Sequence, residues 1–232
     1  MGCIILRKKK GRRKPPFFCL NTMMNCVLCD SPLRKSFQTN DKKNYHECSS
    51  CGLIFLDCND RLSYEDEKAR YESHQNSPTD ISYRNFLNQL FQPLSQKINK
   101  DNIGLDFGCG PGPTISKMFQ ENGIKMDIYD PIFFPNNYAL KAQYDFISCT
   151  EVVEHLFDPA KTLNLIDLIL KKSGWLGVMT KIYDKSIIFE DWYYRKDPTH
   201  VAFYSKQTLE TIADMMGWKC EIHSDNVVLF QK

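Results

Sequence analysis

The chain has 232 residues, of which 42% are hydrophobic and 12% aromatic, enough for one full α/β domain plus a small appendage. No run approaches the roughly 18 apolar residues that a membrane-spanning helix needs, so we expect no membrane span. The formal net charge is +2, from 30 Lys and Arg against 28 Asp and Glu.

The positive charge is concentrated at the N-terminus. Residues 1–24 hold seven of the 30 basic residues and no acidic one, which leaves 23 basic and 28 acidic residues in the rest of the chain. A mildly acidic body argues against a broad nucleic-acid-binding face, since such a face needs clustered Lys and Arg. We interpret residues 1–23 as a basic disordered tail, or as a misplaced start if translation begins at Met23 or Met24. A basic arm for nucleic acid or anionic lipid is the alternative.

Four cysteines predict a zinc site. They form two Cys-x2-Cys pairs, Cys26 with Cys29 and Cys48 with Cys51, and 18 residues separate the pairs. Each pair places two thiolates on one turn, and two such knuckles complete a closed tetrahedral site. A closed site is structural, so we predict a small zinc ribbon over residues 24–60, which could also meet a protein partner. Reduced thiolates further favour a cytoplasmic location.

Residues 61–100 are predicted to form a helical lid or linker. Helix formers fill Leu62–His74, with Ser63 as N-cap and an acidic residue three positions later. A second helix is expected over Asp80–Lys100, where Pro93 should kink or split it.

The stretch Asn102–Pro113, NIGLDFGCGPGP, indicates a strand, a glycine-rich turn and the helix Thr114–Asn122. Three glycines on alternate positions allow positive φ and close approach of a ligand to the backbone. The helix start favours a carboxylate or phosphate. The spacing is neither G-x-G-x-x-G nor a phosphate loop ending in G-K-[ST], because an acidic residue precedes it and no lysine follows.

Two further elements follow the glycine turn. The predicted strand Lys125–Tyr129 ends at Asp130, where a carboxylate can accept both ribose hydroxyls of a nucleoside. The segment YDFISCTEVVEHL starts with the predicted strand Tyr144–Thr150 and continues into a helix expected over Val152–Lys171. Ligands in doubly wound sheets sit outside the carboxyl ends of the strands, so Thr150 and Glu151 should face the ligand.

Together these motifs resemble those of class I S-adenosylmethionine-dependent methyltransferases. The resemblance covers residues 101–232 and implies a Rossmann-like α/β sheet, mostly parallel with an antiparallel last strand, behind the zinc ribbon. It implies S-adenosylmethionine as cofactor and, from the family's lid helices, that Tyr83 and Arg84 close on its methionine end. The cofactor-binding residues implied are Asp106, Gly108, Cys109, Gly110, Gly112, Asp130, Pro131, Thr150 and Glu151.

The middle of the chain departs from this pattern. Only 13 residues, Pro131–Gln143, separate Asp130 from the next strand, so the usual second helix and third strand must be shortened or absent. Phe133 and Phe134 are candidates to cover the adenine by stacking. The remaining predicted elements are the strand Gly174–Thr180, the helix Ser205–Met216 and the hairpin strands Trp218–His223 and Val227–Gln231.

Two histidines are candidates for the chemistry. The pattern Glu151-x2-Glu154-His155, with the distant His200, resembles the divalent-metal site of small-RNA terminal 2′-O-methyltransferases and quinone-biosynthesis O-methyltransferases, and implies Mg²⁺ or Mn²⁺ at these four residues. The i, i+3, i+4 spacing would set the first three on one helical face. The alternative is a metal-free site, with the glutamate at the helix dipole and the histidine lining the pocket. Our catalytic candidates are His200 as base or acceptor-orienting group, then His155 and Glu151.

The expected function is methyl transfer to oxygen or carbon of an unidentified acceptor. The aromatic cluster Trp192–Tyr204 favours a small planar or sugar-like acceptor over nucleic acid. Two alternatives stay open: an RNA methyltransferase, and a non-catalytic module whose ribbon recognises a partner while the Rossmann-like domain senses the cofactor.

Overall fold

The computed structural model describes residues 25–33, 35–73 and 76–232, so the predicted basic tail, residues 1–23, lies outside the described residues. Two sheets organise the fold. One has four strands in the order β1-β2-β3-β8, and the other has six in the order β5-β4-β6-β7-β10-β9.

The four-stranded sheet joins the N-terminal part of the described chain to a strand from its last third. Strands β1 (Lys35–Gln38), β2 (Asn44–Glu47) and β3 (Ile54–Leu56) form an antiparallel meander. The fourth strand, β8 (Ala202–Phe203), pairs antiparallel with β3. The predicted ribbon therefore shares its sheet with the C-terminal part of the chain.

Two helices connect the sheets. Helix α1 (Tyr64–Glu72) begins after Ser63, whose side chain accepts the Asp66 N–H, and it buries none of its residues. Helix α2 (Ile81–Ser95) begins after Asp80 and continues past Pro93 to its end. The expected split is absent because this proline lies in the last turn of the helix.

The six-stranded sheet has the predicted mixed α/β topology. Strands β4 (Ile103–Phe107), β5 (Lys125–Tyr129), β6 (Tyr144–Thr150) and β7 (Leu170–Met179) are parallel. Strand β10 (Val227–Gln231) runs antiparallel to β7 and to β9 (Lys219–Ile222), as the sequence predicts. The helices that complete the domain are α3 (Thr114–Glu121), α4 (Pro159–Ile169) and α5 (Lys206–Met216).

The prediction of a helix over Val152–Lys171 is wrong for its first third, residues 152–158. The chain forms a short 3₁₀ turn over Val153–His155, and α4 starts at Pro159. A residue before proline is disfavoured in the α region, whereas proline fits the first position of a helix. Asp158 caps α4 by accepting the Lys161 N–H. Glu151, Glu154 and His155 therefore do not share one helical face.

The short segment after β5 agrees with the sequence. Among the described residues no helix or strand lies between Tyr129 and Tyr144, apart from one bridge between Asp130 and Phe134. The Tyr144 hydroxyl holds this segment by lying 2.9 Å from both Asp127 Oδ2 and the Ala139 carbonyl. Strand β5 is consequently an edge of the sheet. None of the helices built by the described residues has the length and apolarity to cross a bilayer.

Candidate functional site

A cavity of about 1240 Å³ opens at the carboxyl ends of β4, β5 and β6. This is where a doubly wound sheet binds its ligands. Asp106 and Gly112 do not line the cavity, although the sequence places them in the site. The predicted cofactor residues that do line it are Gly108, Cys109, Gly110, Asp130, Pro131, Thr150 and Glu151.

The glycine turn has the geometry of a ligand cradle. Gly108 and Gly110 have φ values of +76° and +62°, a region that side chains with a Cβ rarely adopt. A Cβ on Gly108 would lie 2.5 Å from Val152 Cγ2, whereas one on Gly110 would have no atom within 4 Å. The backbone at Gly110 is thus open to the cavity, and α3 begins directly behind it.

The sequence predicts Gly112 as a cofactor-binding residue, whereas in the structure it lies outside the cavity lining. A Cβ on Gly112 would lie 1.8 Å from the Asn76 carbonyl oxygen, and the Thr114 hydroxyl donates to the same oxygen over 3.3 Å. The connection between α1 and α2 therefore crosses the glycine turn in direct contact. Asn76 lines the cavity beside it, so Gly112 shapes the wall of the cavity through packing.

Asp106 lies beneath the turn and is 1% exposed. Ser148 Oγ lies 3.3 Å from its Oδ1. Burial raises the pKa of Asp106 to about 7, and the hydrogen bond from Ser148 opposes that rise. This carboxyl supports β4 and the turn from below.

Asp130 organises the far side of the turn. Its carboxylate accepts the N–H groups of Gly110 at 3.1 Å, Ile132 at 2.8 Å and Phe133 at 2.9 Å. A carboxylate has about four acceptor positions, so one remains for a ligand hydroxyl on the cavity side. The residues present fit a nucleoside with a charged tail: an open glycine backbone, a helix start and a carboxylate converge on one cavity.

The other predicted contacts divide between cavity and scaffold. Phe133 and Tyr83 line the cavity. Phe134 instead forms a backbone bridge with Asp130, and Arg84 pairs with Glu121. One residue of each predicted pair is therefore placed to meet a ligand: Phe133 in the first pair and Tyr83 in the second.

A second group of side chains combines two histidines of the cavity wall with a buried glutamate behind them. Glu154, His155 and His200 each offer one ligand atom, and these atoms lie within 4.8 Å of one another. A cation with ligands at about 2.1 Å places them about 3 to 4 Å apart, so small rotations would close the set. Both histidines line the cavity.

Hydrogen bonds fix the tautomer of both imidazoles. His155 Nδ1 lies 3.0 Å from the Thr199 carbonyl, and His200 Nδ1 lies 2.7 Å from the Tyr194 carbonyl. Because a carbonyl only accepts, each Nδ1 carries the proton, and each neutral ring leaves its Nε2 lone pair for another partner. Burial, and then the nearby His155, lower the pKa of His200, which favours the neutral form that ligates metals.

The surroundings of the Glu154 carboxylate show whether a cation would fit at this site. Glu154 is 0% exposed, and its Oε1 accepts the Tyr194 hydroxyl at 2.5 Å. Its Oε2 has no hydrogen-bond partner among the described residues. A buried carboxylate oxygen without a partner is costly, and a divalent cation would satisfy it.

Glu151 lies next to this group but outside it. It has φ +51°, and its Oε2 lies 3.4 Å from the Tyr194 hydroxyl. Burial, and then the charge of Glu154, raise the pKa of Glu151 to about 9. Left-handed backbone at a non-glycine residue marks strain of the kind found at functional sites.

Comparison with known proteins agrees with this architecture. Residues 80–222, more than half of the chain, match the family described as methyltransferase domain. The chain belongs to this family. Its mostly parallel sheet is that of a class I methyltransferase. A search of curated proteins finds no significant sequence match.

Solved structures extend the likeness in fold. Human N-acetylserotonin methyltransferase in complex with S-adenosylmethionine is similar with a TM-score of 0.52 and 12% identity, over 73% of this chain and 57% of that one. An O-methyltransferase family protein from Burkholderia thailandensis has a TM-score of 0.50 and 7% identity, over 72% of this chain and 62% of that one. The chain thus spans 57% to 62% of the length of these two proteins, and the likeness concerns the fold.

The four cysteines of the predicted ribbon have the geometry of a zinc site. Cys26 Sγ lies 3.6 Å from Cys51 Sγ, and Cys29 Sγ lies 3.5 Å from Cys48 Sγ. Tetrahedral zinc with Zn–S bonds of about 2.3 Å places sulfurs about 3.8 Å apart. The four sulfurs fit one such ion with little adjustment.

The aromatic cluster near residue 200 proves to be mainly core. Trp192, Phe203 and Tyr204 are 5%, 1% and 2% exposed. Two of them pack in one cluster with ribbon residues such as Tyr45. Only Tyr193 and Tyr194 of this stretch's aromatics line the cavity, so the cluster's composition says little about the acceptor. The sequence could not separate core from pocket because both favour aromatic rings.

Sequence reasoning gave no individual role to two residues near the candidate site. The Tyr71 ring lies edge to face with His155, with centroids 5.3 Å apart. Tyr194 contacts Glu154, Glu151 and His200. Neither belongs to a motif, because Tyr71 lies inside a predicted helix and Tyr194 is one of several aromatic residues in the cluster Trp192–Tyr204.

Proposed function

We propose that this protein is an S-adenosylmethionine-dependent methyltransferase that methylates an oxygen of a small acceptor beside a divalent cation. The buried carboxylate of Glu154, whose Oε2 has no hydrogen-bond partner among the described residues, and its grouping with two histidines carry this proposal. The four free cysteines that could hold zinc favour a cytoplasmic location.

The glycine turn and its neighbours would hold the cofactor, which supplies an electrophilic methyl group on sulfur. The open backbone at Gly110 and the start of α3 receive the carboxylate of its methionine portion. Asp130 accepts a ribose hydroxyl, and Phe133 covers the base. Methyl transfer then needs mainly alignment and exclusion of water.

The cation would be held by Glu154 Oε2 and the Nε2 atoms of His155 and His200. Carboxylate and imidazole ligands suit Mg²⁺ or Mn²⁺, and a bound cation would lower the pKa of an acceptor hydroxyl and orient it. With both histidines engaged, Glu151 is the remaining candidate base. Burial and the charge of Glu154 raise its pKa, and a cation at Glu154 would oppose that rise and favour the ionised carboxylate. That carboxylate would take the acceptor's proton as the acceptor oxygen gains the methyl group and the cofactor sulfur loses it.

The walls beyond the histidines favour a small acceptor. Helix α1 covers this end of the cavity with Tyr64, Arg70 and Tyr71. Arg70 secures the helix through Asp197, with the two side chains 2.7 Å apart. A covered pocket in a mildly acidic body suits a small hydroxylated molecule better than a nucleic acid strand.

The test is transfer of tritiated methyl from S-adenosylmethionine into a fractionated cell extract. We expect label in the small-molecule fraction, lost on chelation of divalent cations and lost in Glu154→Gln. Label in the RNA fraction would contradict the acceptor class. No label, with retained cofactor binding, would favour the non-catalytic module.

A further inference from the structure

We propose that the zinc ribbon is a positioning element for the cluster of Glu154, His155 and His200. This inference rests on the proposed function of that cluster. The ribbon holds the strand that follows His200, so that the zinc knuckle fixes where the histidine points.

Strand β8 depends on the ribbon for its partner. It has only two residues, and it pairs with β3 through Ile54 opposite Phe203 and Phe55 opposite Ala202. A two-residue strand is not stable without such a template. The ribbon is therefore what makes the segment after His200 extended.

One residue links the ribbon to the cluster. The Val201 carbonyl accepts the Leu56 N–H at 2.8 Å, and the Val201 N–H donates to the Glu154 carbonyl at 2.8 Å. Val201 directly follows His200 and is 3% exposed. A shift of β3 would thus reach two of the three cluster residues through a single residue, Val201.

The knuckle itself rests on the start of α5. Gly52 directly follows Cys51, and a Cβ on it would lie 2.9 Å from Ser205 Oγ. The Ser205 side chain caps α5, and Gln207 Nε2 donates to the Ser50 carbonyl over 3.0 Å. The turn that carries two zinc ligands is therefore seated on the helix that follows β8.

Arg195 secures the other side of the His200 loop. Its Nη1 lies 3.1 Å from Asp41 Oδ2 and 3.3 Å from Tyr45 Oη, both on the ribbon. Its Nη2 donates to the Glu190 carbonyl over 2.9 Å. The ribbon thus holds the chain both before and after the loop 197–200.

The cofactor cradle is anchored elsewhere. Gly108 N–H donates to the Tyr129 carbonyl of β5, and Asp130 holds Gly110. Loss of zinc should therefore loosen the cluster while leaving the glycine turn in place.

The experiment compares Cys48→Ser with Cys220→Ser in the full chain. The control removes a partly buried thiol of β9 that lies outside the zinc set. Zinc content, hydrogen exchange of segments 103–121 and 197–205, S-adenosylmethionine affinity, and Mn²⁺ binding by electron paramagnetic resonance are measured for each. Zinc is also added back to wild-type protein that a chelator has stripped, to test whether the measured properties recover.

We expect Cys48→Ser to lose zinc and to exchange at least about 10-fold faster in 197–205, with 103–121 unchanged. Cofactor affinity should stay within about threefold while Mn²⁺ affinity falls at least about 10-fold. Unchanged exchange in 197–205 after zinc loss, or equal acceleration of both segments, would overturn the proposal. If the variant unfolds, Ile54→Ala with zinc retained gives the same comparison. Wild type that binds no Mn²⁺ would refute the cation site, and the exchange data would still decide on positioning.

Discussion

The imidazole rings of His155 and His200 lie edge to face with their centroids 4.8 Å apart. Each donates its Nδ1–H to a backbone carbonyl, which turns both Nε2 atoms away from the main chain. Together with the buried carboxylate of Glu154, the two histidines offer three possible metal ligands. Two are neutral imidazole nitrogens and one is a carboxylate oxygen. That arrangement is typical of a divalent-metal site with open positions.

Glu154→Gln tests the carboxylate of this set. Mn²⁺ affinity should fall at least about 10-fold because an amide is a weaker ligand than a carboxylate. S-adenosylmethionine affinity should be unchanged, since the glycine turn is untouched. Calorimetric titration of each ligand makes the measurement, with Glu210→Gln, an exposed residue of α5, as control. Equal Mn²⁺ affinity in wild type and Glu154→Gln would contradict a cation site at Glu154.

Gly112→Ala and Gly110→Ala form a matched pair in the glycine turn. The first places a methyl group against the Asn76 carbonyl, and we expect a loss of about 2 kcal/mol in unfolding free energy from overpacking. The second meets no atom within 4 Å, so only its left-handed backbone costs about 1 kcal/mol. Urea denaturation of the two variants measures the difference, and a larger loss for Gly110→Ala would contradict the packing role of Gly112.

Asp106→Asn should change how stability depends on pH. The pKa of Asp106 is raised to about 7 by burial, above the value of about 3.9 for an unfolded chain. The folded state holds this proton more tightly, so its contribution is complete below about pH 4 and is lost as the pH rises towards 7. Asparagine does not titrate there. Relative to wild type, the variant should therefore gain about 1 to 4 kcal/mol between about pH 4 and pH 8.

Urea denaturation of the cofactor-free protein at both pH values provides this comparison. Asp225→Asn, on an exposed turn where Lys181 pairs with the carboxylate, is the control. The account of Asp106 fails if its variant and the control have the same pH profile.

Arg195→Met removes the guanidinium that ties the ribbon to the loop before His200. Its side chain is 5% exposed, and we expect a loss of about 2 to 4 kcal/mol because several buried hydrogen bonds go with it. Lys35→Met breaks an ion pair of the same ribbon whose lysine is 65% exposed, and should cost no more than about 0.5 kcal/mol. Thermal unfolding monitored by circular dichroism ranks the two, and an equal effect would mean that Arg195 does not join the two regions.

Much of the fold follows from local signals in the sequence. The two Cys-x2-Cys pairs place their sulfurs in one cluster, and the caps Ser63, Asp80 and Ser205 begin helices where predicted. The start of α4 was also readable, because Asp158 followed by proline is a helix start. Each of these features depends on residues within one turn of the chain.

Long-range features escaped the sequence for physical reasons. Strand β8 has two residues and no periodicity of its own, so its pairing with β3 could not be predicted. Glu154 and Tyr194 meet across 40 residues, and the pattern around Glu154 does not encode which distant side chain it contacts. The depth of Asp106 depends on how α3 packs over β4, which a motif does not encode. The site was therefore predictable as a region, whereas its contacts required the packed structure.

Native mass spectrometry of the zinc-loaded protein with added S-adenosylmethionine and Mn²⁺ is the most direct test of the central claim. The account predicts one zinc, one cofactor and one Mn²⁺ per chain, with the Mn²⁺ alone lost in Glu154→Gln. Absence of the cofactor from the wild-type spectrum, together with no heat of binding by calorimetry, would contradict the assignment of this cavity.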